Sequence, residues 1–351
     1  MNAGLFTTAP PEGVGARVDD PPAIRAADAL HIDAIERGAS DIHLEPGHDG
    51  GDASLRIDGL LVRAAHFERQ LFEHIIARIK LLGGLDIAER RKPQDGRYTF
   101  RDFDVRVAAI PVLGGERLTL RLHSREAMVL ALDALGFDET TLSRFRALLK
   151  YGNGLIIACG PTGCGKTTTI YAALNERQSL GESLCSIEDP VEIALPGVNQ
   201  IQIQPKLGLT FESAMRGLLR HDPDVIFIGE LRDPQSAALA ASAALCGRLV
   251  LATLHAVDAC AARERLLDLG VAPRLLDRTL RAVLAQRLMR RSDVDGTYRG
   301  RVGIFELAEP ESIIDRDLHD VGHPLRIDAW RQVALGRSDE PELYRVLGAP
   351  R

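Results

Sequence analysis

The sequence predicts an α/β chain in which a mainly parallel sheet, covered by helices on both faces, is preceded by a smaller α+β domain. Three observations predict it. From Gly154 onward, apolar runs at Leu155–Cys159, Leu184–Glu188, Val225–Gly229 and Leu249–Thr253 alternate with helical stretches, the pattern of a parallel sheet buried on both faces. Gly160 to Thr167 fit G-x-x-x-x-G-K-[ST] directly behind the first of these runs. Before residue 125 the pattern differs, with short strands set among two amphipathic helices.

Taken in order, Met1 to Asp20 is rich in Gly, Pro and Thr and lacks both a basic start and a long apolar run. It reads as a flexible tail, residues 1–21, and not as a signal peptide. Pro22 to Arg37 places Ala27, Leu30 and Ala34 at spacings of three and four, which predicts a helix. Asp41–Glu45 and Ser54–Asp58 then read as a hairpin around the turn-rich Pro46 to Asp52. Leu71, Ile75, Ile79 and Leu82 recur at helical spacing and stop at Gly83-Gly84, since glycine takes positive φ at little cost. Strands follow at Gly96–Phe100, Phe103–Ile110 and Glu116–Leu122, so residues 22–125 form the small domain. The pattern breaks between Ser124 and Gly136, and residues 126–140 are assigned as a linker. Residues 141–351 form the larger domain, with a helical part at its end. Within it, Asp233 before Pro234 caps one helix that Gly247 closes, and Asp258 and Gly270 bracket another.

A chain of 351 residues is too long for one ordinary core, and its 45% hydrophobic and 26% charged content is that of a soluble globular protein. The net charge of −6 argues against a surface built to grip nucleic acid. Arg274, Arg278, Arg281, Arg287, Arg290, Arg291, Arg299 and Arg301 nevertheless crowd one stretch, read as a solvated helix face with a binding surface as the alternative. The five cysteines form no C-x-x-C pair, so neither a zinc cluster nor a redox motif is encoded, and reduced thiols in the cytosol fit best. No apolar run is long enough to span a membrane.

The chemistry is expected at the carboxyl ends of the strands. A glycine-rich loop between strand and helix turns backbone N–H groups toward phosphate oxygens, and the helix adds its positive end. Gly160, Pro161, Thr162, Gly163, Cys164, Gly165, Lys166, Thr167 and Thr168 are therefore the expected nucleoside triphosphate site. Lys166 would reach the β- and γ-phosphates, and Thr167 would ligate Mg²⁺. Hydrolysis also needs carboxylates. Two acidic clusters end apolar strands, Glu188 to Glu192 and Gly229 to Asp233, and Glu230 follows a glycine where many phosphate-loop enzymes carry Asp. A third strand end offers His255.

Together, the phosphate loop, Ile187-Glu188-Asp189-Pro190-Val191-Glu192, Gly229-Glu230-Leu231-Arg232-Asp233 and Thr253-Leu254-His255 resemble the phosphate loop, acidic box, atypical Walker B and His box of the secretion ATPases. Those are hexameric motors of type II secretion and type IV pilus assembly. Ala39–Pro46, Arg56–Gly59 and Pro93–Arg97 resemble that family's smaller domain, and Leu284-Ala285-Gln286-Arg287-Leu288 a motif near the end of its motor, so the match covers roughly residues 25–310. The resemblance implies a RecA-like ATPase domain behind a PAS-like one, with ATP and Mg²⁺. It implies that Glu192 and Glu230 divide water activation and Mg²⁺ positioning, with Glu192 ranked as the base and Glu230 as a metal residue beside Thr167. It also implies that His255 senses the γ-phosphate and that Arg106, Arg117 and Arg121 reach the nucleotide, a charged strand face being the alternative. Leu195–Gln200 resembles the assembly branch and not the retraction motors.

Partners implied by the resemblance are a homo-hexamer, a polytopic inner-membrane platform protein and a membrane-anchored adaptor, at the cytoplasmic side of the inner membrane. No direct nucleic-acid binding is expected. The chain departs from the family in lacking a four-cysteine insertion near Gln286–Arg290, so no zinc is predicted, and in having only a short tail where relatives carry a further domain. A nucleotide-gated scaffold with little turnover and a nucleic-acid motor are the two other readings.

Overall fold

The computed structural model of the chain describes residues 20–125, 129–293, 295–314 and 324–349. It divides into two compact units, Met1–Ala127 and Met128–Arg351. Most of the tail read at residues 1–21, and the start of the linker at 126–128, lie outside the described residues.

The first unit contains α1 (Pro22–Glu36), β1 (Asp41–Pro46), β2 (Gly50–Ile57), β3 (Leu60–Glu68), α2 (Arg69–Leu82), β4 (Gln94–Phe100), β5 (Phe103–Val112) and β6 (Gly115–Ser124). Its strands make one antiparallel sheet in the order β3-β2-β1-β6-β5-β4. Ala27, Leu30 and Ala34 of α1, with Phe72, Ile75 and Ile79 of α2, bury one stripe of each helix against Ile42, Leu44, Leu55, Val105 and Leu120 of the sheet. Gly84, at φ +68°, follows the end of α2 as the double glycine predicts. Two expectations need correction. Part of the stretch read as a turn, Gly50 to Asp52, is already strand, and β3 was not anticipated. That edge strand is mostly solvated on both faces, so its residues show no alternation for a sequence reading to detect.

The second unit holds α3 (Glu139–Leu149), β7 (Gly154–Cys159), α4 (Lys166–Arg177), β8 (Leu184–Glu188), β9 (Val198–Gln202), α5 (Phe211–Leu218), β10 (Val225–Ile228), α6 (Pro234–Leu245) and β11 (Leu249–Leu254). After these come α7 (Ala259–Asp268), α8 (Pro273–Thr279), β12 (Leu280–Ser292), β13 (Tyr298–Ala308), α9 (Pro310–Ile314), α10 (Pro324–Ala334) and α11 (Glu340–Leu347). The sheet order is β13-β12-β7-β11-β10-β8-β9, parallel except for the β12–β13 pair. Strand β7 shows why both faces are covered. Leu155, Ile157 and Cys159 pack into one core with α6, α7 and α8, while Ile156 and Ala158 pack into the other with α3 and α4. Asp233 caps α6 in a capping box with Ser236, and Asp258 caps α7, as the sequence predicts.

The basic stretch at 274–301 corrects the sequence reading. Only α8 is helical there, and residues 280–292 and 298–308 form an antiparallel pair within the sheet. Alternate residues of β12 such as Ala282, Leu284 and Gln286 are buried on one face and Val283, Ala285 and Met289 on the other, which a helix assignment cannot satisfy. Residues read as linker also contribute to this unit's core, where Leu132 and Phe137 are buried and Phe137 stacks on Phe305. Among the described residues no helix is long and apolar enough to cross a membrane.

Candidate active site

Strand β7 is buried along its whole length and flanked by β11 and β12, so the loop leaving it emerges from the middle of the sheet. The loop then folds tightly on itself. A Cβ on Gly160 would lie 2.5 Å from the Cys164 sulfur and 2.6 Å from the Gln286 carbonyl oxygen, so no larger residue fits. Gly165, at φ +89°, turns the chain into α4, and a Cβ there would meet the Gln286 side-chain nitrogen at 2.7 Å. Lys166 follows as the first residue of α4 and is buried. Its ammonium donates to the carbonyl oxygens of Gly160 at 2.8 Å and Pro161 at 2.9 Å. Pro161, Thr162, Gly163 and Thr168 are exposed around it. Cys164 is buried inside the loop, and that burial pushes its thiol up.

This donor set suits a polyphosphate. It combines the N-terminus of a twelve-residue helix, a cation inside the loop, and the Thr167 hydroxyl one residue later. Among the described residues no group of three or more His, Cys, Asp or Glu side chains could hold a metal by itself. A hydroxyl and one or two carboxylates completed by phosphate oxygens is the set Mg²⁺ ordinarily accepts.

The carboxylates arrive on neighbouring strands whose ends are level. Ile228 at the end of β10 pairs with Ile187 of β8 and Ala252 of β11, so the chains leaving these strands emerge side by side. From β8, the Thr167 hydroxyl donates to Glu192 Oε1 at 3.3 Å. From β10, Glu230 lies between Arg232 at 2.7 Å and His255 Nε2 at 3.0 Å. Arg232 also stands 3.7 Å from Asp189. The other His255 nitrogen, Nδ1, is 3.2 Å from the Gly160 carbonyl oxygen. The two ring nitrogens thus face the loop carbonyl on one side and the Glu230 carboxylate on the other. Gly229 has a steric reason to lack a side chain. A Cβ there would come within 3.3 Å of Glu188 Cα, closer than that backbone comfortably allows.

Arg106, Arg117 and Arg121 belong to the first unit, on β5 and β6. Arg106 and Arg121 are directly opposed across the two strands. Arg121 is paired with Asp41 at 3.0 Å and Arg117 with Glu45 at 2.9 Å. The structure thus brings Lys166, Thr167, Glu192, Glu230 and His255 together in one unit, and holds the three arginines in the other.

Residues 16–329 match the family model described as Type II/IV secretion system protein. The chain belongs to that family. It is 42% identical over 301 residues to type II secretion system protein E of Xanthomonas campestris pv. campestris, covering 85% of this chain and 52% of that protein. It is 42% identical over 294 residues to the type IV pilus assembly ATPase TfpB of Acinetobacter baylyi, covering 80% and 50%. The chain therefore spans about half the length of these two curated relatives. Among solved structures, the pilus retraction motor PilT with bound ADP is similar at TM-score 0.64 and 27% identity, over 92% of this chain and 97% of that one. The ATPase DotB of Legionella pneumophila shares the fold at TM-score 0.70 and 21% identity, over 93% and 97%.

Within this member of the secretion ATPase family, several site residues escaped sequence reasoning. Gln286 is 2% exposed, and its amide accepts from the Thr169 hydroxyl at 2.8 Å and donates to the Cys164 carbonyl at 2.7 Å. Arg287, next along β12, donates to the Val257 carbonyl beside the His255 turn at 2.6 Å. The motif Leu284–Leu288 was visible, but its contact with the phosphate loop was not. Arg232 stood in view as part of an acidic cluster, yet its hold on Glu230 depends on how the chain turns after β10.

Proposed function

We propose that the chain hydrolyses ATP to power assembly of a type IV pilus or a type II secretion pseudopilus. The observation that carries this is a phosphate loop that meets one carboxylate, Glu192, at Thr167 and a second, Glu230, through His255. Lys166 would bind the β- and γ-phosphates in exchange for its loop carbonyls. Mg²⁺, when bound with the nucleotide, supplies charge neutralisation at the phosphates. Glu192, beside Thr167, suits the metal, and Glu230, held against His255 next to Gly160, suits orientation of the attacking water. That assignment reverses the ranking made from sequence. It follows from the contact between Glu192 and the hydroxyl expected to ligate Mg²⁺. His255, touching both the loop and Glu230, would report the γ-phosphate to the carboxylate.

Arg106, Arg117 and Arg121 are proposed to reach a nucleotide in the assembled motor, Arg117 and Arg121 exchanging Glu45 and Asp41 for phosphate. The assembly is proposed to be a homo-hexamer at the cytoplasmic face of the inner membrane, acting on a polytopic platform protein and recruited by a membrane-anchored adaptor. ATP turnover and ADP binding by wild type, Lys166→Ala, Glu192→Gln and Glu230→Gln test the enzymatic part. Lys166→Ala should lose binding, while Glu230→Gln should bind ADP normally and turn over about a hundredfold or more slower. Equal turnover in all four proteins would refute it.

A further inference from the structure

We propose that Tyr171 is a positioning residue that holds Glu192 against the phosphate-loop helix, with the buried Glu188 carboxylate fixing the direction of its hydroxyl. The inference rests on the functional reading above. Tyr171 lies four residues after Thr167, so the two occupy one face of α4, a turn apart. Glu192 touches both. Its carboxylate accepts from the Thr167 hydroxyl, and its backbone N–H donates to the Tyr171 hydroxyl oxygen at 3.4 Å. The two contacts, one helical turn apart, tie the residue to α4 through its side chain and its backbone.

The direction of the tyrosine hydroxyl is set from beneath. Tyr171 is 1% exposed and Glu188 3% exposed. The Tyr171 O–H donates to Glu188 Oε2, while Glu188 Oε1 accepts from the Ser186 hydroxyl and from Gln200 Nε2 at 3.2 Å. Because the single phenolic proton goes to the carboxylate, the oxygen lone pairs are left to receive the Glu192 N–H. Burial and the neighbouring Glu188 both push the Tyr171 phenol up, which keeps that proton in place. The ring itself is held edge-on by Phe227.

A core that needed only to be filled would use an apolar side chain at 188, since burying a carboxylate costs desolvation. Here the buried charge organises a polar frame under the acidic loop. Gln200 also donates to the Ile193 carbonyl at 3.0 Å and accepts from the Leu195 N–H at 2.7 Å, and Gln202 accepts from the Val191 N–H at 3.3 Å. Tyr171 is the member of this frame that joins it to the phosphate-loop helix.

Tyr171→Phe removes the hydroxyl and keeps the ring. The full chain carrying it should show kcat for ATP reduced about tenfold or more, with ADP affinity within about twofold of wild type, because the loop and Lys166 are untouched. In the Glu192→Gln background the same substitution should add little, since a residue that acts through Glu192 has nothing left to position. A kcat within about twofold of wild type, equal losses in kcat and ADP affinity, or full additivity with Glu192→Gln would each overturn the inference. Wild-type protein without ATPase activity would overturn this inference together with the functional reading. Turnover abolished by Lys166→Ala yet unaffected by Tyr171→Phe would overturn the inference alone.

Discussion

Replacing Gln286 with Met tests whether β12 shapes the phosphate loop. Methionine matches glutamine in length and volume, so no cavity opens and packing changes little. Two hydrogen bonds disappear, to Cys164 O and from Thr169 Oγ1. They are not equivalent losses. The Thr169 hydroxyl also donates to the Gly165 carbonyl at 3.2 Å and keeps that partner, whereas the Cys164 carbonyl of a buried residue loses its side-chain donor. An unsatisfied buried acceptor costs about 1–3 kcal/mol. For a unit of this size that lowers the unfolding midpoint by roughly 3 °C per kcal/mol, or about 3–9 °C in total. Part of the same cost should appear in nucleotide affinity, because Gly165 packs on the Gln286 amide and starts the helix that meets the phosphates. Scanning calorimetry and titration with a fluorescent ADP measure both. Gln286→Glu, which keeps size and an acceptor but removes the donor, should lose at least as much. A midpoint within about 1 °C of wild type with unchanged ADP affinity would refute the role given to β12.

The buried pair Lys80–Glu116, 2.6 Å apart in the small unit, offers a second test. Lys80→Met should destabilise that unit by about 3–5 kcal/mol by stranding a buried carboxylate, while Lys80→Met with Glu116→Leu should recover most of it, as urea unfolding would show. Equal losses in the two proteins would contradict the electrostatic account. His31 should make the small unit acid-sensitive. Burial lowers its imidazole to about 4, against a smaller upward effect of its hydrogen bond with the Ala27 carbonyl, so the folded unit holds it neutral. Its contribution is complete above the unfolded value near 6.5 and is lost as pH falls from there toward 4, a change of roughly 3 kcal/mol. His31→Gln should flatten the profile of stability against pH between those limits, and an unaltered slope would show that other groups govern it.

How much of this was legible depended on how local the determining physics is. The phosphate loop could be read entirely, because its strand, glycines, lysine and helix are contiguous and each has its own local reason. The level strand ends carrying Glu192, Glu230 and His255 could also be anticipated, since apolar runs followed by polar residues mark them. Strand β12 could not. Its buried positions face both ways between β7 and β13, and its arginines, spaced every few residues, imitate a helix surface. Strand β9 was missed for the opposite reason. It is a short edge strand with polar residues at three of its five positions, and Gln200 and Gln202 serve as hydrogen-bonding arms rather than as core. The contacts of Gln286 with Cys164 and Thr169 join residues more than a hundred positions apart and leave no trace in local spacing.

The ammonium of Lys166 is solvated by its own loop, through the carbonyls of Gly160 and Pro161. An incoming phosphate therefore competes with protein oxygens for the ammonium, and the affinity gained is a difference between two charge-assisted sets of bonds. The same carbonyls stand ready to recapture the cation when the anion leaves. In coordination terms the loop is a chelator with a built-in competing ligand. Under the proposed function, that internal competition would weaken the loop's hold on nucleotide without weakening its shape, which suits release over tight storage.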